Sequence, residues 1–184
     1  MTSPQKTVVV FPGTGYTCST GLLADGIQHW QALGYHVIPL DFSHIPFADI
    51  ETFSEAFDAA EASALRQLAE ENLDHCIDLV FFSKSLGTVV APRCAAALRL
   101  HPRMLYLTPL PETLALTGAD DQVIGMVVGT RDPLIDWHVV QDFCDAKSIP
   151  CLVCEKVGHS LADPSDSART EAIRQQVLAL CRPF

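Results

Sequence analysis

At 184 residues the chain suits one domain, residues 1–184, able to bury about 70% of its unfolded surface. Its 48% apolar and 18% charged residues describe a globular rather than a disordered composition. A net charge of −10 repels phosphate backbones and anionic lipid, so neither nucleic acid nor membrane is an expected partner.

Taken in chain order, Lys6–Phe11 (KTVVVF) is a β-branched run closed by Pro12 and Gly13, a buried strand. Residues 21–33 place Leu22, Leu23, Ile27 and Trp30 at helical spacing before Gly34. A second strand covers 35–40. The stretch 50–71 is an amphipathic helix with Phe53, Phe57, Ala60, Ala64 and Leu68 on one stripe. A third strand covers 76–82. A small-residue helix follows over 86–100, where Pro92 is expected to bend rather than break it. Strands at 103–108, 122–128 and 150–155 alternate with a short helical piece at 109–117 and helices at 134–147 and 167–181. Six near-continuously apolar strands separated by helices predict a parallel, doubly wound α/β sheet covered on both faces. In such sheets ligands gather beyond the carboxyl ends of the strands.

Those ends carry chemistry. After the third apolar run comes Ser83-Lys84-Ser85-Leu86-Gly87, the spacing of a nucleophile elbow, with a strained central residue and small residues two before and two after it. The loop after the fifth strand, Gly129-Thr130-Arg131-Asp132-Pro133-Leu134, offers a carboxylate, and Val157-Gly158-His159-Ser160 after the sixth offers an imidazole. A serine hydroxyl needs a base to remove its proton, and the base needs an acid to orient it. Ser85, Asp132 and His159 supply the three in the expected chain order. Each has a plainer reading: Asp132 as a helix cap, His159 as a surface histidine, Ser85 as an ordinary turn serine. Asp136 competes with Asp132 for the acid role. The glycine-rich turn Phe11-Pro12-Gly13-Thr14-Gly15-Tyr16 suits an oxyanion hole, with the amides of Thr14 and Leu86 as donors. Gly13, Tyr16, Lys84 and Arg131 are assigned to substrate binding. The two cations would attract an anionic group on the substrate, or else be solvated loop cations.

On the motifs SKSLG, GTRDPL, VGHS and FPGTG the chain resembles the α/β-hydrolase superfamily over nearly its whole length, and is most similar to its small capless members: carboxylesterases, thioesterases and dienelactone-hydrolase-like proteins. The resemblance implies a hydrolase of small esters or thioesters working through an acyl-enzyme, with no cofactor and no metal. The family's two leading strands are missing, the first small position of the elbow is Ser83 rather than glycine, and residues 110–121 are too few for a cap. The expected strand order is therefore 2-1-3-4-5-6.

A rival reading takes Gly13, Gly15 and Asp41 as a dinucleotide fingerprint, but Cys18 stands where its third glycine belongs. A non-catalytic binding protein on the same fold is the other alternative. The seven cysteines, an odd number set in apolar segments, suggest free thiols in a reducing compartment. Cys151 and Cys154, three apart on a strand, should face opposite ways and hold no metal. With no membrane-length apolar window and no signal-peptide core, the expected location is the cytoplasm.

Overall fold

The structure, a computed structural model, describes residues 5–183. Its six strands are β1 (Lys6–Phe11), β2 (His36–Pro39), β3 (Asp78–Lys84), β4 (Arg103–Leu107), β5 (Gln122–Gly129) and β6 (Cys151–Cys154). They form one sheet in the order β2-β1-β3-β4-β5-β6, with every pairing parallel. The helices are α1 (Gly21–Ala32), α2 (Phe53–Leu68), α3 (Leu86–Leu98), α4 (Pro111–Leu116), α5 (Trp137–Lys147) and α6 (Ser167–Leu180). The doubly wound arrangement and strand order are those expected from the sequence.

Each strand sends alternate side chains to the two faces of the sheet. One face packs Val9, Phe81, Tyr106 and Val128 against α2, α3 and α5 through Phe57, Ala60, Val90, Val140 and Cys144. The other packs Val8, Val10, Phe82 and Val127 against α1 and α6 through Leu23, Trp30, Ile173 and Val177. Cys151 borders the first cluster and Cys154 belongs to the second, so the CxxC pair does face opposite ways. All seven cysteines carry free thiols. The edges of the sheet are four-residue strands, β2 and β6.

Element ends differ from the sequence expectation where a side chain intervenes. α2 begins at Phe53 because Thr52 and Glu55 form a capping box, Thr52 Oγ1 accepting from the Glu55 amide at 3.2 Å and Glu55 Oε2 from the Thr52 amide at 3.2 Å. α5 begins at Trp137 rather than near residue 134, since Asp136 caps it, accepting from the His138 amide at 3.0 Å. α3 runs unbroken through Pro92. β3 extends two residues beyond its apolar run, to Lys84.

At the amino end of the sheet, Arg103 of β4 donates from Nε to Asp78 Oδ1 at 2.9 Å and from Nη2 to Asp78 Oδ2 at 2.7 Å. The Tyr35 hydroxyl donates to the same carboxylate, and all three residues are buried. Such a pair is expensive to break, because truncating one member strands the other charge out of water. Asp78→Ala should therefore lower unfolding stability by about 3 kcal/mol in urea denaturation. A loss below about 1 kcal/mol would show that the guanidinium finds water or another partner.

Candidate active site

The parallel strands bring every β-to-α loop to one rim. There the Ser85 hydroxyl lies 2.7 Å from His159 Nε2, and His159 Nδ1 lies 2.7 Å from Asp132 Oδ2. The Asp132 side chain is fully buried and the imidazole is 24% exposed, so the acid is dry while the ring reaches solvent. Asp132 also accepts from the Leu134 amide through Oδ1 at 2.9 Å; it braces its own loop and bonds the ring at once. Asp136 is exposed and turned to His138, which removes it as a partner of His159.

Local sequence explains how Ser85 is presented. It adopts φ 54° and ψ −124°, a sparsely populated region for a residue with a side chain, costing about 1–3 kcal/mol. The surroundings hold it there. The Ser85 amide donates to the Leu107 carbonyl at 3.0 Å, and the Thr88 hydroxyl donates to the Ser85 carbonyl at 2.7 Å. Thr88 Oγ1 lies 2.6 Å from Thr113 Oγ1. Because the single Thr88 hydroxyl proton goes to Ser85, Thr113 donates in that pair. Thr113 in turn accepts from the Leu110 amide at 3.1 Å, so a hydroxyl relay ties the elbow to α4.

The small residues around Ser85 have distinct reasons. A β-carbon on Gly87 would fall 2.3 Å from the Phe11 carbonyl oxygen, so α3 can approach β1 only with glycine there. Ser83, where a glycine is more usual, is fully buried and donates to the Leu105 carbonyl at 3.2 Å. A β-carbon on Gly13 would fall 2.9 Å from Ser85 Cβ, which sets the glycine-rich turn directly against the hydroxyl. Thr14 is exposed on that turn, and Leu86 opens α3, where first-turn amides lack intrahelical acceptors. Tyr16 is half-buried; its hydroxyl accepts from the Leu22 amide at 3.1 Å, and burial pushes its phenol up from the usual range.

A cavity of about 450 Å³ opens beside Gly13, between residues 12–17 and residues 40–48. Leu40, Phe42, Ile45, Pro46 and Phe47 supply its apolar wall. Asp41, the residue the dinucleotide reading required, accepts from the Ser43 amide at 2.8 Å and from its hydroxyl at 3.0 Å, bracing a turn.

Lys84 requires a correction. Neither a solvated loop cation nor a lure for anions describes it, because β3 carries it inward and it is only 2% exposed. Its ammonium donates to the His159 carbonyl at 2.7 Å and to Thr108 Oγ1 at 3.1 Å. Arg131 is exposed, and its amide donates to the Val157 carbonyl at 2.9 Å, joining the two loops that carry Asp132 and His159. Thr108 and Thr113 escape sequence reasoning. The one signal was the threonine-rich, proline-bounded segment after β4, which has no fixed spacing to the elbow. No group of three or more metal-ligating side chains occurs among the described residues, and none of their helices is long and apolar enough to cross a membrane.

No protein-family model matches the sequence, and the comparison with curated proteins found no match. Solved structures are similar in fold. An alpha-beta serine hydrolase homologue from Coxiella burnetii superposes with a TM-score of 0.64 at 15% identity, covering 96% of this chain and 86% of that one. An esterase from Pyrococcus furiosus gives 0.65 at 16% identity over 96% of this chain and 82% of its own. An α/β serine hydrolase without lid from Xanthomonas campestris gives 0.65 at 14% identity over 97% and 82%.

The tightness of the elbow can be tested directly. Gly87→Ala should destabilise the fold by about 1–3 kcal/mol, read from the shift of the urea midpoint, since backbone oxygens cannot move aside as side chains do. An unchanged midpoint would mean that α3 has room to retreat from β1.

Proposed function

We propose, starting from a chain that has the α/β-hydrolase fold without a lid, that it is a serine hydrolase acting on small esters or thioesters. The observation that carries this reading is the unbroken hydrogen-bond path from the Ser85 hydroxyl through the His159 ring to the buried Asp132 carboxylate. A site built this way activates a hydroxyl for attack on a carbonyl carbon.

In the proposed reaction, Ser85 Oγ attacks the substrate carbonyl while its proton passes to His159 Nε2. The negative charge that develops on the carbonyl oxygen is met by the amides of Thr14 and Leu86, with the amino end of α3 adding its dipole. Collapse of the tetrahedral intermediate breaks the bond to the leaving group, which takes the proton from His159 and departs as an alcohol or thiol. Water then attacks the acyl-enzyme, giving its proton to His159. Ser85 recovers that proton as the acid leaves. Asp132 holds the ring so that Nδ1 keeps its hydrogen and Nε2 faces Ser85, and it stabilises the transient imidazolium.

Substrate preference is read from the cavity beside Gly13, whose turn lies against Ser85. The cavity that Gly13 borders has an apolar wall of Leu40, Phe42, Ile45, Pro46 and Phe47, which supports an uncharged acyl group of a few carbons. It lies within the range of roughly 300–1,000 Å³ common to small-molecule sites.

The test is hydrolysis of p-nitrophenyl acetate by wild type, Ser85→Ala, Asp132→Asn and Asp136→Asn. Ser85→Ala should lose at least ~1,000-fold in kcat and Asp132→Asn about 100- to 10,000-fold, whereas Asp136→Asn should stay within about twofold. Equal rates for wild type and Ser85→Ala would remove the nucleophile and favour a binding protein on this fold. Across a series of acyl lengths, kcat/KM should rise from acetate to butyrate and fall again by laurate, since each methylene that finds an apolar wall contributes up to about 0.8 kcal/mol. A laurate ester hydrolysed far faster than butyrate would refute a small, open acyl site.

A further inference from the structure

Lys84 is a buried cation within the elbow for which the proposed mechanism has no use, and its placement is costly. Val80, Phe82 and Lys84 share a face of β3, so the lysine continues an apolar row into the space between α1 and the loop after β6. Arg103, the buried cation at the opposite end of the sheet, rests on a carboxylate; the hydrogen-bond acceptors of Lys84 are uncharged. An ammonium removed from water without a contacting counter-ion is unfavourable unless its hydrogens are well placed. Here all three have a destination: the His159 carbonyl at 2.7 Å, Thr108 Oγ1 at 3.1 Å, and the face of the Tyr16 ring, whose centroid lies 5.1 Å away. These belong to three different loops, after β6, β4 and β1, while the lysine itself precedes the residue that must be met by the imidazole.

We propose that Lys84 is the positioning residue for His159, its ammonium fixing the peptide plane of the base and drawing the surrounding loops onto the elbow; this rests on the Ser85–His159–Asp132 reading above. The segment that carries the base needs such a hold. It turns sharply between two residues in the left-handed region, Lys156 at φ 64° and Leu161 at φ 57°. Its own closing bond is the Leu161 amide to the Gly158 carbonyl at 3.0 Å. Thr108, the second acceptor, is itself at φ 48°, so its hydroxyl is delivered by a strained residue. Holding the His159 carbonyl restrains the peptide plane beside its Cα and, with the ring held at Nδ1 by Asp132, limits how far Nε2 can swing from Ser85.

The clasp also carries a pH signature. Burial pulls the ammonium down from the usual lysine range to about 8, against the attraction of Asp132 on the loop after β5. The other groups facing it are the Tyr16 phenol, pushed up and hence uncharged, and the ring of His159 beyond its own carbonyl; Asp25 of α1 lies behind Tyr16. Below about 8 the lysine is charged and all three hydrogens are engaged; above it one hydrogen and the charge are lost, which removes the contact with the Tyr16 ring and leaves the bond to the His159 carbonyl without its charge assistance.

The experiment measures kcat and KM for p-nitrophenyl butyrate from pH 7 to 9.5 in wild type, Lys84→Met and Lys84→Gln, with Ser85→Ala as control. Lys84→Met keeps the aliphatic stem and removes the donors. It should lower kcat by about 10- to 100-fold with KM within about twofold, as expected for a misaimed base rather than a lost binding contact. Wild-type kcat should fall as pH passes about 8, and that fall should be absent in both variants. Wild-type kcat in Lys84→Met overturns the proposal; a flat wild-type profile overturns its pH signature. If Lys84→Met does not fold, kcat and KM of Lys84→Gln decide it in the same way. Activity in Ser85→Ala equal to wild type would overturn the nucleophile reading and this proposal together; an inactive Ser85→Ala beside an unimpaired Lys84→Met overturns this proposal alone.

Discussion

The approach of α3 to the end of β1 leaves 2.3 Å between the Phe11 carbonyl oxygen and the place where a β-carbon on Gly87 would sit. That contact governs the whole rim. Because the helix starts so close to the central strand, the chain must turn within one residue, and that residue is forced to a positive φ. The same closeness presses the turn of Gly13 against Ser85 and leaves the first amides of α3 facing the space above the hydroxyl. The strain is distributed rather than borne by Ser85 alone. The Leu107 carbonyl, the Thr88–Thr113 relay and the Ser83 hydroxyl each hold one side of the turn.

Two buried cations divide the molecule functionally. At the amino end of the sheet Arg103 meets Asp78 and Tyr35 in a closed network that joins β3 and β4 to the chain entering β2. At the carboxyl end Lys84 meets neutral acceptors on loops that carry the candidate chemistry. A guanidinium bonded twice to a carboxylate has a fixed geometry and a charge that pH does not touch. An ammonium on a carbonyl and a hydroxyl is compact, adaptable and open to titration, in contrast to the fixed fork of Arg103.

Much of the architecture was legible because β1 and β3 are written in β-branched or aromatic residues that a helix disfavours, KTVVVF and LVFF above all, while β4 (RMLYL) and β6 (CLVC) stand out only as short apolar runs between helical segments. With parallel strands covered on both faces, the order of the elements then leaves few topologies. The order Ser85, Asp132, His159 was legible for the same reason: each falls just after a recognisable strand. What escaped depends on side chains acting across the fold. Thr52 and Asp136 trim their helices through capping bonds that a hydrophobic stripe does not register. Lys84 follows an apolar run and so reads as the point where the strand meets water, whereas β3 runs on and carries it inward. Thr108 and Thr113 matter through one hydroxyl each, and nothing in their spacing connects them to the elbow.

The short borders of the sheet have a consequence for how copies of this chain behave in a crowded solution. A flat, long outer strand invites another molecule to continue the ladder. Here β2 and β6 offer four residues apiece, and β2 closes on Pro39, whose nitrogen has no hydrogen to share. The six-stranded core can therefore be rich in β-branched sequence without recruiting its neighbours: the segments best suited to self-association, β1 and β3, lie at the interior of the sheet with both flanks already taken.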